Sequence, residues 1–132
     1  MTVFVDTSAL LAVLDADDQN HSAARLAWED LITRAEDLVC TNYVLVETFA
    51  LVQNRLGLDA VRTLQADILP VLQVDWLDSA SHERSVAALL MAARRQLSLV
   101  DCASFDAMRR LGISAAFTFD RHFAEHGFQR IP

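Results

Sequence analysis

A chain of 132 residues is enough for one domain with a full core and too short for two ordinary ones. Its hydrophobic share of 53% hints at apolar surface held against another chain, and its net charge of −7 argues against a general nucleic-acid coat. No apolar stretch reaches the roughly 20 residues of a membrane span and no secretory leader is legible, so a cytoplasmic protein is the default expectation.

Residues 2–6 ("TVFVD") predict a buried strand that ends in an aspartate, and 8–14 a short helix. A polar turn, "DADDQNH" over 15–21, precedes an amphipathic helix near 20–36 carrying Leu26, Trp28, Leu31 and Ile32. "DLVCT" (37–41) predicts a second strand, and 42–56 a strongly apolar helix ended by Gly57, as glycine commonly ends helices. A further helix should cover 58–69 and stop at Pro70. "VLQVDWL" (71–77) alternates like a strand, and 78–96 reads as a long amphipathic helix. Then follow a helix over 101–112, a strand over 115–119, a short helix over 120–126 and an edge strand over 128–131. Apolar strands separated by helices predict an α/β domain, 1–132, with a parallel sheet covered on both faces.

Composition removes several chemistries. All 11 basic residues are arginine, so the lysine of receiver domains, of haloacid-dehalogenase phosphatases and of the P-loop is missing. Cys40 and Cys102 form no CxxC pair, the four histidines show no zinc spacing, and both thiols are expected to be reduced core residues. "DADDQNH" imitates the start of a calcium loop, but Asn20 stands where glycine is needed and Leu26 where glutamate is needed. The tryptophans and phenylalanines are expected in the core. Arg94-Arg95 and Arg109-Arg110 read as solvated helix faces with the capacity to steer an RNA backbone.

What remains is a constellation of acids. In open parallel sheets ligands sit beyond the carboxyl ends of the strands. Asp6 and Asp120 follow strands there, and Asp101 follows "LSLV" at the mouth of a helix. Each of the three also suits a helix N-cap. Glu47 lies inside "YVLVETFALV", where a carboxylate faces a desolvation cost, and no arginine occupies 43, 44, 50 or 51. Crowded carboxylates repel unless a cation neutralises them, and hard oxygen ligands select magnesium or manganese.

The blocks "FVDTSALLAVL", "TNYVLVETFAL", "LSLVDCASFDAMRRLG" and "AFTFDRHFAEHGF" resemble the PIN-domain nucleases, and among them the VapC-type ribonuclease toxins of toxin–antitoxin pairs. The resemblance spans essentially the whole chain. It implies a three-layer α/β/α fold with a five-stranded parallel sheet. It also implies an endoribonuclease using Mg2+, with Mn2+ as substitute, on Asp6, Glu47, Asp101 and Asp120, supported by Ser8 and Thr118. The partners implied are RNA and a cognate antitoxin, and the apolar excess adds a homodimer to the expectation. Asp106 lies about 140° around its helix from Asp101, so it is expected on the surface or behind the ligands. An RNA-processing nuclease without an antitoxin, and an inactive binding module whose acids only cap helices, are the alternatives.

Overall fold

The computed structural model describes residues 1–132. Five strands form one parallel sheet: β1 (Thr2–Val5), β2 (Asp37–Thr41), β3 (Leu72–Asp75), β4 (Ala115–Phe117) and β5 (Gln129–Ile131). Their order across the sheet is β3-β2-β1-β4-β5, with every neighbouring pair parallel. The chain therefore builds outward from β1 in one direction, then crosses back to β4 on the other side. That reversal makes the β1/β4 junction the switch point where a crevice opens beyond the strand ends.

Seven α-helices connect the strands: α1 (Thr7–Leu14), α2 (His21–Thr33), α3 (Asn42–Leu56), α4 (Leu58–Thr63), α5 (Ser79–Ala92), α6 (Leu99–Leu111) and α7 (His122–Glu125). The core gathers between the apolar strands and the helices over them, where Phe4 and Phe117 of the sheet, Phe105 of α6 and Phe123 of α7 are fully or almost fully buried. The Phe105 and Phe123 rings meet edge to face at 5.0 Å, a favoured aromatic geometry. Cys40 and Cys102 are free and buried, and burial pushes the Cys40 thiol up to about 12, which makes it an inert core group. The "DADDQNH" segment is a polar turn in which Asp15 and Asp18 accept from the backbone N–H two residues on.

The departures from expectation have physical causes. The helix expected over 58–69 is α4 followed by a π turn (Leu64–Ile68) and a 3-10 turn (Leu69–Val71). Pro70 sits inside that last turn, a helix start where a missing N–H costs nothing. The long helix expected over 78–96 ends at Ala92, because Ala93 turns left-handed at φ 51. The next helix then begins at Leu99, two residues before the expected position, because Ser98 and Asp101 form a reciprocal capping box. β3 is shorter than expected and leaves Trp76 outside it, 73% exposed rather than in the core. Leu26 is likewise 70% exposed; α2 faces inward through Ala24 and Leu31. β4 stops at Phe117, which frees Thr118, Phe119 and Asp120 to leave the sheet. No helix is long and apolar enough to cross a membrane.

Candidate active site

A pocket of about 360 Å³ opens beyond the β1/β4 junction, lined by Asp6, Thr7, Ser8, Leu11, Glu47, Leu51, Gln96, Ser98, Asp101 and Asp120. All four acids singled out in the sequence meet there, each from a different element. Asp6 follows β1, Glu47 comes from the middle of α3, Asp101 from the first turn of α6, and Asp120 from the segment after β4.

Asp6 occupies the N-cap position of α1, yet its side chain makes no capping bond. Its Oδ2 instead accepts from Ser8 Oγ at 2.7 Å and Thr118 Oγ1 at 2.9 Å. Those hydroxyls lie 3.2 Å apart. They receive backbone N–H groups in turn, Phe119 onto Ser8 and Asp120 onto Thr118, each at 3.0 Å. Thr118 thus stands under Asp6 although it belongs to the segment after β4. Asp6 is 4% exposed, and burial pushes its carboxyl up to about 6 against the pull of the two hydroxyls, helped by the charges of Asp101 and Asp120.

Asp101 is not an N-cap; Ser98 is. Ser98 Oγ accepts the Asp101 N–H, and Asp101 Oδ2 accepts the Ser98 N–H, both at 3.1 Å. Burial raises the Asp101 carboxyl above its ordinary value, with the Ser98 N–H pulling against it and the charge of Asp120 adding to the rise. Asp120 Oδ1 accepts the His122 N–H at 2.9 Å and so ties the loop to α7.

The reason the sequence offered for Glu47 does not hold. Glu47 is half-buried at the pocket, and its neighbour Val46 is 70% exposed. The apolar surroundings read from the sequence are partly an outward-facing surface of α3, so desolvation demands no cation at this position. Placement alone puts Glu47 at the site.

Asp106 lies outside the pocket. It pairs with Arg84 at 3.1 Å and with Arg110 at 3.7 Å, while Arg110 also holds Asp75 at 2.6 Å. This lattice joins the end of β3, α5 and α6. Of the arginines considered for steering, Arg94 pairs with Glu125 at 3.1 Å and Arg109 lies 5.5 Å over the Phe128 ring. Arg95 makes no ion pair and stands beside Gln96 of the pocket wall.

The sequence reading missed His122. It is 7% exposed, and its Nδ1 lies 3.0 Å from Asp120 Oδ1. The approach is too poorly aligned for a hydrogen bond, and both ring nitrogens are buried without a partner. Donor atoms of Asp101, Asp120 and His122 all fall within 4.8 Å of one another. The available signal was a histidine two residues after a strand-end aspartate, in "FDRHF".

The donor set fits a hard divalent cation. Asp6, Asp101 and Asp120 each have one oxygen held by protein donors and the other without a protein partner. Carboxylate oxygens pre-oriented in this way are what magnesium, manganese or calcium require.

Residues 3–129 match the PIN domain family. The chain is 32% identical over 130 residues to the 23S rRNA-specific endonuclease VapC20 of Mycobacterium tuberculosis, covering 98% of this chain and 97% of the relative. It is 27% identical over 124 residues to Ribonuclease VapC26 of the same organism, covering 92% and 90% of the two chains. The crystal structure of VapC20, described as a sarcin–ricin loop cleaving toxin, superposes with a TM-score of 0.84 at 31% identity over 96% of this chain and 95% of that one. FitAcB from Neisseria gonorrhoeae shares the fold alone, with a TM-score of 0.73 at 15% identity over 100% and 97%. Switch-point acids, parallel five-stranded sheet and full-length sequence similarity agree: the chain belongs to the PIN-domain family, among its VapC-type endoribonucleases.

Proposed function

We propose that the chain cleaves RNA phosphodiesters in the cytoplasm as the toxin of a type II toxin–antitoxin pair. Asp6, Glu47, Asp101 and Asp120 would together hold a divalent cation, Mg2+ with Mn2+ as its substitute. One observation supports this most: three aspartates from three elements line one pocket, each with one carboxylate oxygen fixed by the protein and the other without a protein partner. Helix capping does not account for Asp6, whose fixed oxygen is held by the Ser8 and Thr118 hydroxyls and makes no capping bond.

A cation bound there supplies positive charge to activate a water and to offset charge developing on the phosphate. The chain's own residues prepare the site. Ser8 and Thr118 lock the Asp6 rotamer, the Ser98 N–H locks Asp101, and no side chain of the pocket is needed as a nucleophile. Gln96 lines the pocket wall, and its exposed chain neighbour Arg95 makes no ion pair and is available to meet an RNA backbone. VapC20 is named for 23S rRNA, which makes ribosomal RNA the first substrate to try.

For the antitoxin, an apolar groove of about 510 Å³ lined by Leu45, Val46, Phe49, Leu69, Val74 and Trp76 suits an amphipathic tail. A smaller groove through Val46, Glu47 and Val100 continues it to the acids, so an arginine of the tail would occupy space the cation needs. Leu90 and Met91, 73% and 87% exposed on α5, support a homodimer.

The test pairs cleavage with growth. Wild type with Mg2+ should cut ribosomal RNA and arrest a host that lacks antitoxin, and Asp6→Asn should do neither at the same soluble level. Equal harmlessness of the two proteins would sink the toxin reading. Cleavage that survives in EDTA would sink the metal assignment.

A further inference from the structure

His122 is a buried imidazole whose two ring nitrogens make no aligned hydrogen bond. Burying a polar group without a partner costs free energy, and native proteins rarely leave one in that state. The backbone N–H of His122 bonds Asp120 Oδ1 at 2.9 Å, which brings the side chain beside that carboxylate. Nδ1 then lies 3.0 Å from the same oxygen without a hydrogen-bond alignment. Adjacent ligands on a cation with bonds of about 2.1 Å are themselves about 3.0 Å apart, so this spacing also fits two donors on one ion, with Asp120 ligating through the oxygen that accepts the His122 backbone N–H. The third member, Asp101, comes from α6, and the donor atoms of all three lie within 4.8 Å.

We infer that His122 supplies a nitrogen ligand to the divalent cation, between Asp101 and Asp120, and that this nitrogen makes the site take manganese in preference to magnesium. Manganese shares magnesium's preference for oxygen ligands but, as a transition ion, accepts an imidazole nitrogen more readily than magnesium, which dehydrates reluctantly. The inference rests on the metal-dependent reading above and adds a ligand and a selectivity to it.

Two measurements test it, neither of which needs turnover. The first is pulsed electron paramagnetic resonance of Mn2+ bound to wild type, which should show coupling to an imidazole nitrogen that changes when the histidines carry 15N. The second is calorimetric titration with Mn2+ and Mg2+ of wild type and His122→Gln. Wild type should prefer Mn2+ by more than tenfold, and the variant should lose most of that preference because its Mn2+ affinity falls more than its Mg2+ affinity. Mn2+ bound without nitrogen coupling, or an unchanged preference in a folded variant, overturns the role of His122 and leaves the carboxylate site standing. Wild type that binds neither ion overturns both. The wild-type spectrum decides the matter even if His122→Gln fails to fold.

Discussion

Asp6 bears an electrostatic load that the rest of the pocket creates. It is buried, it faces two other carboxylates, and its carboxyl is pushed up to about 6 from an ordinary 3.8. Without a cation, the folded chain holds a proton between those values that the unfolded chain has released. Stability of the metal-free protein should therefore rise as pH falls from 7 towards 4, then level off as the unfolded chain is protonated too. The Asp6 contribution amounts to about 3 kcal/mol across that window. Asp6→Asn should keep the Ser8 and Thr118 bonds, stabilise the metal-free fold at neutral pH by about 1–3 kcal/mol and flatten the slope. Urea unfolding in EDTA from about pH 4.5 to 7.5 measures both effects. An Asn variant that keeps the parent's slope would move the titration to another group. Glu47, being half-buried, behaves differently. Glu47→Gln should abolish cleavage with less than about 0.5 kcal/mol change in the metal-free fold, and a large loss of stability would show a structural role. The two acids also differ in how they were found. Asp6 was singled out because it ends a strand at the sheet's rim and because four motif blocks in order, rather than D-T-S alone, pointed to a site. Glu47 was picked for a burial it lacks, since sequence shows which neighbours are apolar and not whether anything covers them.

At the scale of elements, the α5–α6 region separates structure from chemistry. Asp106 shares a helix with Asp101 but faces the other way, into the lattice with Arg84, Arg110 and Asp75. Partly exposed pairs contribute modestly, and a network of them somewhat more. Asp106→Asn should therefore cost about 0.5–1.5 kcal/mol and leave cleavage per folded molecule unchanged. Thermal melts beside single-turnover cleavage check this, and a loss of activity at full folding would return Asp106 to the site. Helix and strand types were legible here, while the ends were less so. The Ser98–Asp101 box could have placed the start of α6, because S-x-x-D is a readable cap. The left-handed turn at Ala93 had no signal, since neither glycine nor asparagine marks it. His122 was hidden for a different reason: the sequence contained its proximity to Asp120 but not the burial that strips its nitrogens of partners.

On the scale of the whole molecule, the apolar excess read from composition reappears as particular residues. Leu90 and Met91 project from α5, and Val46 and Trp76 rim the groove beside α3. Patches of this kind mark association sites. If the α5 patch joins two copies, Met91→Asp should shift a sedimenting dimer to monomer with a melting temperature close to the parent's at low concentration. Trp76→Ala, placed on the other patch, should leave the dimer intact and weaken capture of the antitoxin tail. A monomeric parent at micromolar concentration and above would remove the dimer from the reading.

The strand order also governs when this protein can become dangerous. β1 lies at the middle of the sheet, and its partner on one side is β4, more than a hundred residues later in the chain. Whenever β2 and β3 pair before β4 docks, Val3, Phe4 and Val5 present an open, apolar edge that invites pairing with another chain. Closing it requires a long-range contact, which is slow compared with local helix formation. The hydroxyl of Thr118 reaches Asp6 only once that contact is made. Asp6, Thr118 and Asp120 therefore come together only in the completed sheet. The same event that seals its edge also arms its pocket.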